Sequence, residues 1–116
     1  MQFVSDRMKA MVLLGAAPRL VILQASAVVV DVATRRGIAY ADCSRDDELL
    51  IEIGGSAKMQ IAGRLSLSRT GDWWLQTMCR MTSGWREGGI FLASPDGMKE
   101  LRVWTETRFD EAVSGR

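Results

Sequence analysis

The chain has 116 residues, 47% apolar and 25% charged, with a formal net charge of +1. That length and balance suit one soluble globular domain burying about two-thirds of its unfolded surface. They exclude a strong overall field of the kind that draws a protein to nucleic acid or a membrane surface. The absence of histidine excludes Ser-His-Asp and Cys-His catalysis and removes the commonest metal ligand.

The first stretch, residues 1–18, reads as an N-terminal helix or arm. Ser5 is a candidate cap, and Val4, Met8, Met11, Val12 and Gly15 recur at helical spacing before Pro18 stops the pattern. It does not read as a secretory signal. Asp6 stands in the would-be basic region, and Pro18-Arg19 divides the apolar run. No apolar run approaches the roughly twenty residues of a membrane span. A cytoplasmic location is the expectation.

Residues 19–109 read as an antiparallel β-meander. "LVILQASAVVVDV" is rich in β-branched residues and too apolar for a one-sided strand, which predicts a strand covered on both faces. "ATRRGIAY", "LSRTGDWW" and "ASPDGMKE" each place glycine third in a short loop. That is the pattern of a three-residue hairpin with a left-handed glycine. Arg35-Arg36 falls at the first of these tips.

Turn length sets register, and register is tested by which side chains share a face. A loop at Arg69-Thr70-Gly71 sets Leu67 against Trp73, Leu65 against Leu75, Gly63 against Thr77, Ile61 against Cys79 and Met59 against Met81. Most of these pairs are apolar. A loop at Gly54-Gly55-Ser56 sets Ile53 against Ala57, Ile51 against Met59 and Glu52 against Lys58.

Farther on, "TSGWREGG" reads as a glycine-flanked loop carrying Trp85. "GGIFLAS" and "KELRVWTETRF" read as strands joined through Pro95-Asp96-Gly97, and residues 110–116 as a tail. In the second of these strands, Leu101, Trp104, Thr105 and Arg108 also fit a helical stripe. The whole reads as a mainly β, β-rich α+β single domain. A helix leads into about six or seven strands that curl into a small barrel or half-barrel, which removes exposed edges.

No catalytic motif emerges, so the expectation is a non-enzymatic protein with no cofactor and no metal. The acidic run "ADCSRDDELL" lacks calcium-loop spacing and reads as a solvated turn. "IGGSAK" is hairpin chemistry rather than a phosphate loop. Cys43 and Cys79 have no C-x-x-C spacing and read as two free thiols.

One face of the central hairpin is unusual. The same register places Ser66 opposite Trp74, Arg64 opposite Gln76, Ala62 opposite Met78 and Gln60 opposite Arg80. These eight positions hold an indole, a thioether and two guanidiniums, but no acid. Three coverings fit: the protein's own N-terminal helix, a protein surface, or single-stranded nucleic acid with a base stacked on Trp74. The leading expectation is an interaction module that self-associates, as a homo-oligomer, or docks on a protein partner. Its binding residues are Trp74, Met78, Arg64, Arg80 and Gln76, joined by Trp85. Single-stranded nucleic-acid binding on the same face is the alternative, and a small-molecule carrier a distant third.

Overall fold

A computed structural model describes residues 17–86 and 88–114, and the expected helix over residues 1–18 falls outside these except for its last two positions. The described chain runs from helix α1 (Ala17–Arg35) into strands β1 (Tyr40–Asp42) and β2 (Glu48–Ile53). A short 3-10 turn (Gly55–Ala57) leads to β3 (Met59–Leu67) and β4 (Trp73–Met81). Then come β5 (Gly84–Arg86), β6 (Ile90–Leu92) and helix α2 (Pro95–Val113). The strands form one antiparallel sheet in the order β1-β2-β3-β4-β5, with β6 also pairing with β4. Among the described residues the sheet is not closed, so of the expected barrel or half-barrel the closed form is not seen; both helices pack on one face of the sheet.

Two segments expected as strands are helices. In α1, Ile22, Ala25, Val29, Val32 and Ala33 are all buried, at the spacing of one helical face. β-branched content suggested a strand, but packing outweighs a propensity difference of tenths of a kcal/mol per residue. Pro18 sits in the first turn of α1, where a missing N–H costs nothing. In α2 the buried residues are Gly97, Leu101, Thr105 and Phe109, each four apart. The helix also absorbs residues 110–113 of the expected tail.

The shared glycine signature has three different outcomes. Gly71, at φ +85°, closes the β3–β4 hairpin as expected. Gly37, at φ +66°, instead ends α1. The Ile38 N–H donates to Ala33 O at 2.9 Å and the Gly37 N–H to Thr34 O at 3.1 Å. This is a Schellman cap with Ile38 folded against the core. Arg35 is therefore the last residue of α1, and Arg36 follows it rather than tipping a hairpin. Gly97 lies in the first turn of α2, where the Ser94 hydroxyl accepts its N–H at 3.0 Å and Pro95 fills the first helical position.

The β3–β4 register is the expected one in all nine pairs, from Met59↔Met81 to Leu67↔Trp73. The β2–β3 register differs by two residues: Ile53 pairs with Met59, Ile51 with Ile61 and Glu52 with Gln60. The 3-10 turn lengthens the connection, and because the shift is even, every side chain keeps its expected face. The segment around Trp85 is strand β5 rather than a loop. Between Cys79↔Arg86 and Gln76↔Ile90 the pairing shifts by one residue, a β-bulge. At the bulge the Thr77 N–H and hydroxyl both donate to Gly89 O, at 2.8 and 3.0 Å.

The core fills the space between the helices and the inner sheet face, with Leu49, Ile51, Ile61, Leu75, Cys79, Phe91, Leu101 and Phe109 in one cluster. The two helices run in the same direction. Arg36 Nη1 lies 2.7 Å from Asp110 Oδ1 and Nη2 3.4 Å from Glu106 Oε2. The Arg36 guanidinium also stands 5.6 Å from the centre of the Phe109 ring. The hairpin tip overhangs this layer: Trp73 is half-buried and Leu67 is 52% exposed, so the expected core pair is only partly enclosed.

Candidate functional site: the outer face of the sheet

Because strand side chains alternate, burying Leu49, Ile51, Ile61, Leu75 and Cys79 under the helices turns their neighbours outward. The outer face is covered by none of the described elements. Its residues fall into rows across the ladder. Glu48, Arg64, Gln76 and Ile90 form one; Leu50, Ala62 and Met78 the next; Ala41, Glu52, Gln60, Arg80 and Trp85 a third. Ser66, Trp74 and Leu92 complete it at the hairpin end.

All six residues expected from the sequence lie on this face. Trp85 arrives there on a strand, not on the expected loop, and is 56% exposed. The Arg80 guanidinium lies 5.8 Å from its ring centre, a cation–π distance. Met78 is 48% and Ile90 61% exposed, while Trp74, Leu50 and Leu92 are half-buried. Leu50, Ile90 and Leu92 were not anticipated. The signal for Leu50 is the alternation in "ELLIEI", where it points away from the buried Leu49 and Ile51.

The middle of the face is a depression of about 410 Å³, floored by Ala62 and walled by Leu50, Arg64, Gln76 and Met78. Its hollow follows from the short alanine side chain between two longer apolar ones. The face also carries acids that the hairpin alone did not reveal. Arg64 Nη2 stands 3.4 Å from Glu48 Oε1, and Gln60 Nε2 donates to Glu52 Oε1 at 2.6 Å. Arg64 is largely exposed, so the pair with Glu48 contributes little to stability.

Asp42 turns to the inner side, where its carboxylate accepts the Ser26 hydroxyl of α1 and, at 3.0 Å, the Ser44 N–H. Burial raises the Asp42 pKa, but those hydrogen bonds outweigh it and hold the carboxyl below its usual range. Cys43 is exposed and Cys79 buried, and both are free thiols. Burial pushes the Cys79 thiol up to about 11, which suits a core position with Met59 Sδ 3.7 Å away. No described helix is long and apolar enough to cross a membrane. In comparisons with known proteins, no family model, curated protein or solved structure matches this chain.

Proposed function

We propose that the protein is an interaction module that works by covering the outer face of its sheet with protein. One observation carries the reading: Met78, Trp85 and Ile90, each roughly half exposed or more, join Trp74 and Leu50 on one continuous face. Trp, Met and Arg are the residue types enriched where proteins meet. Trp85 and Met78 supply the desolvated anchors, and Arg64, Arg80, Gln60 and Gln76 supply a polar surround that orients the contact.

The test is Met78→Arg in the full chain, followed by sedimentation velocity and circular dichroism. The expected result is weakened association with an unchanged spectrum. A Met78→Arg chain that unfolds makes Met78 a core residue and ends the reading.

Single-stranded nucleic acid is the second reading. It is favoured by the convergence of Trp74 and Trp85 with two arginines, since bases stack on indoles while cations hold phosphates. It is weakened by Glu48 and Glu52 on the same face and by the engagement of Arg64 with Glu48. Oligonucleotide binding that falls steeply with salt supports it over the first.

A further inference from the structure

Granting that the outer face is a protein-binding surface, we infer that its occupant is a second copy of this chain, stacked face to face about a two-fold axis along β3. An isologous contact requires a surface complementary to itself, and two rows of this face have that property; in the row of Glu48, Arg64 falls beside the partner's Arg64, each paired with Glu48 of its own chain at 3.4 Å. A two-fold axis lying between two stacked sheets carries β2 over the partner's β4 and β1 over the partner's β5. Each row of the ladder then meets its own reversal.

The row Ala41, Glu52, Gln60, Arg80, Trp85 is built for that reversal. Glu52 falls on the partner's Arg80, and Arg80 on the partner's Glu52. The large indole of Trp85 falls on the partner's Ala41, bulk against a small side chain. Gln60, nearest the axis, faces the partner's Gln60, and amides pair with one another through one donor and one acceptor each. In the next row Leu50 falls on the partner's Met78, and the depression over Ala62 faces its own copy.

Within one chain these opposite charges do not meet. Glu52 and Arg80 are separated by β3, about 10 Å at the usual strand spacing. Glu52 is held by Gln60 and Arg80 stacks on Trp85. An unrelated partner needs no such reversal symmetry.

The size of the face is consistent with this occupant. Five strand positions span about 20 Å and the outer rows run roughly 25 Å along the strands. Only about twelve outward positions meet a counterpart across the axis, at roughly 32 Å² each, so about 400 Å² per copy and about 800 Å² in all is covered, the size of a weak, reversible dimer. Sandwiched sheets pack near −30°, so the axis is inclined to β3 by about half that angle.

The experiment uses the full chain by sedimentation equilibrium. Glu52→Arg and Arg80→Glu each place like charges against one another twice across the axis, and each raises the dimer dissociation constant at least tenfold. Mixing the two variants restores wild-type affinity in a one-to-one heterodimer, because both contacts then join opposite charges. Both positions are exposed, and circular dichroism checks that each variant folds. A wild-type dimer indifferent to both reversals overturns the inference.

A monomeric wild type overturns it too, and Ala62→Cys in a Cys43→Ser background shows what else fails. An introduced thiol that reacts with maleimide as fast as a free peptide thiol leaves the face open to another partner. If the introduced thiol is protected in the monomer, the chain covers its own face, and the underlying reading falls as well.

Discussion

Asp31 and Arg102 join the two helices: Arg102 Nη1 of α2 lies 2.7 Å from Asp31 Oδ2 of α1. The same carboxylate oxygen lies 3.0 Å from Arg35 Nε, one turn farther along α1. The Arg102 hydrogen bond is the main reason that the Asp31 carboxyl is held below the usual range. Burial opposes it, and Arg35 adds to it.

A lowered carboxylate pKa contributes stability that is complete above the unfolded value, near 3.9, and is lost as pH falls through the folded one. Asp31→Asn therefore unfolds at lower urea than wild type at pH 7, and the gap narrows steadily below about pH 4. A gap that persists unchanged to pH 2 removes the charge-assisted pairing from the account. Asp42 titrates in the same direction, so both proteins lose stability in acid; the difference between them is the readout.

Gly97 and Gly88 are fixed by close approach. A Cβ at Gly97 would stand 1.7 Å from Leu92 O, and one at Gly88 1.5 Å from Thr77 O, both backbone atoms that cannot step aside. Gly97→Ala and Gly88→Ala are expected to cost about 3 kcal/mol or more in urea unfolding. At Gly71 nothing lies within 4 Å and only the positive φ objects, so Gly71→Ala costs about 1–2 kcal/mol. The order of the three, rather than any one value, is the check.

These glycines also show why the sequence was legible in one region and misleading in another. At Gly71 the local signature and the long-range pattern agreed: Leu65, Leu67, Trp73 and Leu75 alternate on both sides, and the register followed. At Gly97 the same x-x-Gly spacing belonged to a helix start. The evidence for it, Ser94 before Pro95 and Asp96, is a cap signature that a hairpin reading passes over. In α1, Val28, Val29, Val30 and Val32 carried a strand propensity that the buried stripe overrode. The hairpin half of the outer face could be found because register alone assigns it. Its acids and Leu50 were legible from the same alternation, since the even shift leaves Glu48, Leu50 and Glu52 on that face; only the residues they stand beside differ, by two positions.

The Ser94 cap is itself measurable. Its hydroxyl accepts the Gly97 N–H, one of the four donors at the helix start that lack an intrahelical partner. Ser94→Ala is expected to lower stability by about 1 kcal/mol, and Ser94→Asp to retain most of it. Equal losses in the two variants mean that the hydroxyl packs rather than caps.

Thiol chemistry separates the two cysteines. With Cys79 buried and its pKa near 11, about one molecule in a thousand carries its thiolate at pH 8. Cys43 is exposed at the end of β1. An aromatic disulfide reagent is expected to titrate one thiol promptly in the native protein and two in guanidinium. Cys43→Ser abolishes the prompt phase, and two prompt thiols in the native state would mean that the core around Cys79 opens readily.

The two faces of β4 differ in how substitution costs depend on protein concentration. Leu75 is fully buried beneath the helices, so Leu75→Ala removes core packing and costs about 2–5 kcal/mol at any concentration. Met78, three residues on, points the other way and is half exposed. In dilute solution Met78→Ala is expected to change stability by no more than about 0.5 kcal/mol, as surface substitutions do. Association stabilises only the folded chain, by an amount that grows with the logarithm of concentration above the dissociation constant. The cost of Met78→Ala therefore rises across a hundredfold concentration series, while that of Leu75→Ala stays flat. Two flat series would detach the outer face from association. A Met78→Ala cost as large as that of Leu75→Ala in dilute solution would make Met78 part of a second core.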